Sequence, residues 1–558
     1  MNVLRRFGIF LLGAFCLAAV MTSAPPDTRV ADAAMRGDRD AVRALLKQSP
    51  DSNSANAAQG DGMTALHWAA SKDDAELAAM LLSAGASAKA VTRIGAITPL
   101  WLAAQNGDAR IIEMLLKAGA DPNSPTSTGV TALMVASAAG SVDVIKALLD
   151  RGADLNAKES NYGQTPLIFA SAFNRPGAIV ALIEAGAKTS VATKPRAPGG
   201  GGGAPRGGGG ARGGAGAPAL PTVPGSVIGE IRVITAPVNP PAANEVNGEP
   251  APREATEAMG GLTPLLYAVR QDHIESVRAL LDHGAAINEV SADRTTPLMM
   301  AVINGHFDLA MFLLEHGGDP KIATVAGGTP LYRAVDVQWA PKSFYPQPSV
   351  KQERVTYLEL MKALLAHGAD PNARLTRQLW YTGYGFELEG VEPAGATAFW
   401  RASEVGDLDA MKLLVAAGAD PKIATNEGVT PLLVAAGDGF HGNDAVTVPA
   451  GRMPAVKYLV EECHADVNAL DTKAGDSTST THTNTRTYTP VHAAAARGDN
   501  EMILYLVAHG ARVDLVGKNG VTTADIANSP RERIEPFPET VKLLESLGAK
   551  NSHKCIAC

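Results

Sequence analysis

A threonine recurs along this chain with a spacing that a single globular core does not produce. It stands at Thr64, Thr98, Thr131, Thr165, Thr263, Thr296, Thr329, Thr397, Thr430, Thr489 and Thr522. The successive gaps are 34, 33, 34, 98, 33, 33, 68, 33, 59 and 33. Seven of the ten are 33 or 34, and each of the other three contains an insertion. A fixed period of this length marks one small structural unit stacked many times over.

Each unit reads as two short helices. In Thr98-Pro99-Leu100 the Thr hydroxyl is placed to accept an unpaired backbone N–H at a helix start. Pro99 takes the first helical position, where a missing N–H costs nothing. Ala103 and Ala104 are small enough for a second helix to approach. Ile111, Ile112, Leu115 and Leu116 then give that second helix one apolar face, and Gly119 ends it. A pair this short cannot bury its own apolar face and must stack on neighbours. Composition agrees. Aromatic residues are only 5% of the 558, which suits a core one layer thick. The net charge of −8 is not gathered in a block, and no basic face is available for nucleic acid.

Gly62-Met63-Thr64-Ala65-Leu66-His67-Trp68-Ala69-Ala70 and Leu365-Ala366-His367-Gly368-Ala369-Asp370-Pro371-Asn372, with the 33-residue period, resemble the ankyrin-repeat family. The resemblance covers nearly all of 27–550 in about twelve units. It implies an all-α repeat solenoid of helix-turn-helix units with β-turn or hairpin fingers. It also implies a non-enzymatic, monomeric scaffold that binds a protein partner and needs no cofactor. Family members bind through their turn tips and the concave face of their first helices. The matching positions here are Trp68, Lys72, Asn106, Phe169, Phe173, Tyr267, Arg270, Arg333 and Arg401; Trp68, Phe169 and Tyr267 could equally be core. The motif His positions, His67 and His492, are expected to hold the turn rigid.

The insertions divide the chain into 27–193 (about five repeats), a Gly/Pro-rich segment over 194–258, and 259–551 (about seven repeats). The middle segment has too little apolar surface to offset its ordering entropy and is expected to be disordered. Val227 to Thr235 is its one strand-like stretch. Its two Arg-Gly-Gly triplets, at Arg206 and Arg212, read as linker. The second block carries further insertions near 338–354, 374–392, 438–454 and 472–487. Eight of the chain's 27 aromatics lie between Trp339 and Phe386. Aromatic residues on loops are favoured partner anchors, so Trp380, Tyr381, Tyr384 and Phe386 form a candidate contact cluster, or else fold back to cover the stack.

The termini suggest export. Arg5 and Arg6 precede an apolar stretch from Phe7 to Ala24, the pattern of a secretory signal over 1–24. Pro25 follows the small-residue site, so the alternative is an uncleaved N-terminal membrane anchor. The expected location is periplasmic or secreted. The tail 552–558 ends Cys555-Ile556-Ala557-Cys558, a Cys-x-x-Cys without the following His of a haem attachment site. A Cys555–Cys558 disulfide, or a redox or haem-related accessory role, is the second functional reading. No metal site is expected: His283, His316, His367 and His509 each precede a helix-ending Gly and are far apart along the stack.

Overall fold

The computed structural model describes residues 27–48, 52–195, 259–340, 348, 350–377, 379, 391, 393–438, 448–471, 488–517, 520–528 and 536–552. The chain forms two compact units, one up to Asn161 and one from Tyr162. The first holds α1 (Arg29–Arg36), α2 (Arg39–Gln48), α3 (Ser52–Asn56), α4 (Ala65–Ser71), α5 (Ala75–Ser83), α6 (Pro99–Asn106), α7 (Ala109–Lys117), α8 (Ala132–Ala139) and α9 (Val142–Asp150). The second begins with α10 (Pro166–Ala172), α11 (Pro176–Glu184), α12 (Pro264–Arg270), α13 (Ile274–Asp282), α14 (Pro297–Asn304), α15 (Phe307–Glu315), α16 (Pro330–Gln338) and α17 (Tyr357–Ala366). It continues with α18 (Ala398–Val405), α19 (Leu408–Ala416), α20 (Pro431–Ala436), α21 (Met453–Lys457), α22 (Pro490–Ala495), α23 (Asn500–Ala508), α24 (Thr523–Asn528) and α25 (Pro538–Ser546).

All eleven recurring threonines cap first helices as their sequence position predicts. Each hydroxyl accepts the N–H three residues on, as in Trp101 N–H to Thr98 Oγ1 at 3.1 Å and Asp525 N–H to Thr522 Oγ1 at 3.1 Å. A cap of this kind contributes about 1 kcal/mol. Asp74, Asp108, Asp407 and Asp499 cap second helices in the same way. Within each unit, first helices pack on first helices and second on second, as α4 on α6 and α12 on α14. The core between them is made of residues such as Leu66, Leu100, Leu133, Leu266 and Leu298, all buried.

The Gly/Pro-rich insertion does not interrupt this packing. Helices α10 and α12, on either side of it, lie against each other, as do α11 and α13. Ile168 and Ala172 share a buried cluster with Leu262, Leu266 and Tyr267. Thr193 N–H donates to the Leu262 carbonyl at 3.0 Å, and Leu262 N–H donates to Thr193 Oγ1 at 2.8 Å. A Cβ on Gly260 would stand 2.6 Å from the Lys194 carbonyl oxygen, so this close approach requires glycine. The insertion thus leaves and re-enters the second unit at one place. Residues 196–258, with Val227 to Thr235 and both Arg-Gly-Gly triplets, lie outside the described residues.

The expected hairpin fingers need correction. Among the described residues there is no β-strand, and the segments between helix pairs are turns. Each turn is closed by one bond of its own, as Thr92 N–H to the Ile97 carbonyl at 2.9 Å. Each reaches its neighbour by another, as Val325 N–H to the Asp293 carbonyl at 3.0 Å. A hairpin needs a ladder of paired bonds along two strands, and a tip this short cannot supply one. The expected periplasmic or secreted location, with a possible N-terminal anchor, is corrected as well. Among the described residues no helix is long and apolar enough to cross a membrane. The longest have ten residues, against about 20 needed to span. Residues 1–24, on which the export expectation rested, lie outside the described residues.

One second helix is a residue longer at its C-terminal end than its fellows. Four residues separate the buried Leu414 from the helix-ending Gly418; five separate Leu459 from His464, which takes the glycine's place. The extra residue widens the last turn of the second helix into a π-turn over Tyr458–Glu462, where Cys463 N–H reaches the Tyr458 carbonyl at 3.0 Å. His464 then takes the left-handed conformation, φ 53°, that glycine takes elsewhere.

The motif histidines join this framework as neutral rings. His67 Nδ1 accepts the Thr64 N–H at 3.2 Å, and its Nε2–H donates to the Ile97 carbonyl of the following repeat at 3.0 Å. Burial lowers the His67 and His492 pKa values to about 4. The unfolded chain takes up protons on these rings below about pH 6.5, and the folded chain does not until about pH 4. Stability is therefore lost as pH falls through that window, by about 2 kcal/mol per ring at pH 5. Thermal unfolding at pH 7 and pH 5 should show a larger drop for the native protein than for a His67→Gln, His492→Gln variant. Equal drops contradict the assignment.

Candidate interaction surface

The first-helix residues expected to face a partner are largely occupied in joining repeats. Trp68 is half-buried and donates from Nε1 to Gln59 Oε1 at 2.7 Å. Asn106 donates to the Ala70 and Ser71 carbonyls of the preceding repeat, both at 2.9 Å. Phe169 and Tyr267 are buried, and the Tyr267 hydroxyl accepts a hydrogen bond from Gln164 at 2.9 Å. Phe173 packs on the cluster around Leu266. Arg270 lies 5.4 Å from the centre of the Tyr267 ring. Lys72 is exposed.

Arg333 and Arg401 meet at one buried carboxylate. Arg333 pairs with Asp336, one helical turn on. Arg401, on the next repeat's first helix, reaches the other Asp336 oxygen at 2.9 Å and Glu404 at 2.8 Å. Arg401 also donates to the Trp339 carbonyl at 3.3 Å. Burial pushes the Asp336 and Glu404 carboxyls up, against the pull of the Arg401 charge. Arg452 lies near enough for its charge to act on Glu404; burial and the Arg497 charge push its own pKa down to about 9. Beside this cluster, Trp339 Nε1 and the Tyr357 hydroxyl both donate to Asp407, at 2.7 and 2.8 Å. These groups tie the enlarged repeat of α16 and α17 to the repeat of α18 and α19. The sequence reading named the two arginines and missed Asp336, Glu404 and Asp407. The i, i+3 spacing of Arg333 with Asp336 and of Arg401 with Glu404 was the available signal.

Four further histidines close helices, as their place before a glycine suggests. Nδ1 of His283, His316, His367 and His509 lies 2.7–2.8 Å from the carbonyl four residues back. Trp380, Tyr381, Tyr384, Phe386, Cys555 and Cys558 lie outside the described residues.

What the described residues do expose is apolar surface at the turn tips. Val91 and Ile94 in the first unit are 55% and 68% exposed. In the second unit Val290, Val325, Leu470 and Val516 are exposed at tips. Three insertions open from tips of that same unit, each between residues joined by a backbone hydrogen bond. Thr193 pairs with Leu262 at 3.0 Å, Leu375 with Ala396 at 2.9 Å, and Asp471 with Tyr488 at 3.3 Å. In ordinary repeats the same bond spans only a few residues, as Ser291 to Thr295 at 3.0 Å. The tips themselves are joined in sequence, from Tyr162–Lys194 through Gly260–Ala292, Asp293–Val325 and Ala326–Thr376 to Ala394–Asn426.

Capped helix pairs stacked through their apolar faces define a repeat solenoid. The family model "Ankyrin repeats (3 copies)" matches residues 26–92, 100–193 and 246–324, and "Ankyrin repeat" matches 487–518. The chain is 31% identical over 140 residues to "Ankyrin repeat and SAM domain-containing protein 6" of Rattus norvegicus, covering 24% of this chain and 13% of that protein. It is 32% identical over 125 residues to the protein of that name from Mus musculus, covering 22% of this chain and 11% of the relative. The similarity thus spans about an eighth of each relative's length. The chain is an ankyrin-repeat protein, a non-enzymatic scaffold capable of protein interaction.

Removing one partner of a buried ion cluster leaves uncompensated charge and costs about 3–5 kcal/mol, whereas apolar replacement of the whole cluster costs far less. Asp336→Ala is expected to lower the urea midpoint sharply. The quadruple variant Arg333→Met, Asp336→Leu, Arg401→Met, Glu404→Leu should be less impaired than that single variant. A single variant within about 0.5 kcal/mol of the native protein contradicts the assignment.

Proposed function

We propose that the chain is a scaffold that binds a protein partner along the tip edge of its second unit, with the concave first-helix face and the inserted loops contributing. The observation that carries this reading is the coincidence of two features on one edge. Extra sequence has been accepted at three tips, and apolar side chains stand exposed at others. Apolar surface left exposed at a tip gains nothing from the stack, and an edge of such residues suits a partner. Loops on a rigid scaffold are where binding residues gather. The Leu375–Ala396 pairing at a tip of this edge supports including the insertion near 374–392, with Trp380, Tyr381, Tyr384 and Phe386, in the reading.

The test compares crosslinked partners recovered by three proteins from the native host. These are the wild type, a variant carrying Val290→Asp, Val325→Asp and a short Gly-Ser replacement of 378–392, and a control carrying Lys362→Asp on a second helix. The edge variant is expected to lose at least about tenfold in recovery of the partner that the control retains. Equal recovery by the edge variant and the control would overturn the reading.

A further inference from the structure

Asp272, His306 and Glu353 come from three separate places in the second unit. Asp272 sits in the turn between α12 and α13, and His306 stands at the start of α15. Glu353 lies in the segment inserted between α16 and α17. One imidazole nitrogen and one oxygen from each carboxylate lie within 4.8 Å of one another.

The surroundings hold these groups in place. Glu353 Oε2 accepts the Asp308 N–H at 2.8 Å, which fixes that carboxylate over the first turn of α15. Asp308 itself is paired with Arg354 at 2.9 Å. His306 Nε2 lies 3.3 Å from the Arg270 carbonyl, while its Nδ1 is buried without a hydrogen-bond partner. A neutral ring that donates from Nε2 carries an unused lone pair on Nδ1. An imidazole back-bonded to a carbonyl is also how metal-binding histidines are oriented.

We propose that Asp272, His306 and Glu353 bind one divalent transition-metal ion of the zinc class. One nitrogen and two oxygens suit zinc, iron or nickel, whereas calcium and magnesium take oxygen alone. Ligand atoms in a tetrahedral zinc site stand about 3.3 Å apart, so side-chain rotation must close at most about 1.5 Å. Water completes the coordination. The bound ion fastens the inserted segment ahead of α17 to the two repeats before it. It thereby stiffens the repeat from which the aromatic segment emerges.

The experiment uses the full chain with Cys555→Ser and Cys558→Ser, which removes a competing thiol pair. Zn²⁺ binding is followed by calorimetry and Co²⁺ binding by visible absorption. One saturable Zn²⁺ site is expected, weakened at least about tenfold by Glu353→Gln and again by Asp272→Asn. Zn²⁺ should raise the Tm of the parent and leave that of Glu353→Gln unmoved. Equal affinity in parent and variants, or no saturable Zn²⁺ binding, overturns the site. Ca²⁺ binding in preference to Zn²⁺ overturns the metal class.

Discussion

Leu262, Leu266 and Tyr267 are buried in one cluster with Ile168 and Ala172 of the preceding repeat. A single helix pair of this size has no interior, and its apolar residues are buried by the next pair along. Shortening one of them, Leu266→Ala for example, opens a cavity between repeats and costs about 2–5 kcal/mol. The same interface explains why this chain tolerates so much added sequence. Neighbour packing does not require that the connecting chain be short. Lengthening a surface loop costs only about 0.6 kcal/mol per doubling. The connection from Thr193 to Leu262 can therefore replace an ordinary turn while the two repeats keep their contact.

Repeats stacked through similar faces face a problem of register, and the second unit contains one interface that differs from the others. Asp336 lies between Arg333 of its own helix and Arg401 of the next repeat. The place equivalent to Arg401 is Val434 one repeat later and Met300 two repeats earlier, counting four residues from each capping Thr. A repeat displaced by one place would set the buried Asp336 carboxylate against an apolar side chain. The cost of an unpaired buried charge selects the observed neighbour. Trp339 and Tyr357, both bonded to Asp407, reinforce that choice.

Local features were legible in the sequence. The Thr caps and the histidines placed before helix-ending glycines each depend on a few adjacent residues, and period alone located them. The Arg333–Asp336–Arg401 contact was not legible, because it joins residues 65 apart in the chain. Nothing in the period tells an exposed first-helix arginine from one sealed between repeats. Phe173 and Tyr267 pack into the neighbouring repeat for the same reason, and Tyr267 takes the core place that the sequence had left open. The hairpin fingers were expected from family resemblance, and the actual tips carry single tip-to-tip bonds such as Ala326 to Thr376. The tip edge emerged only when both ends of each insertion could be seen to meet.

Cutting the chain inside its longest insertion tests most directly whether packing, and not chain continuity, holds the second unit together. A specific protease site placed within residues 200–250 would separate α11 and everything before it covalently from α12 and everything after it. The account predicts that the two fragments stay associated through gel filtration and unfold in one transition near the Tm of the uncut chain. Fragments that separate in buffer, or a piece ending near Pro195 that melts independently, would contradict it.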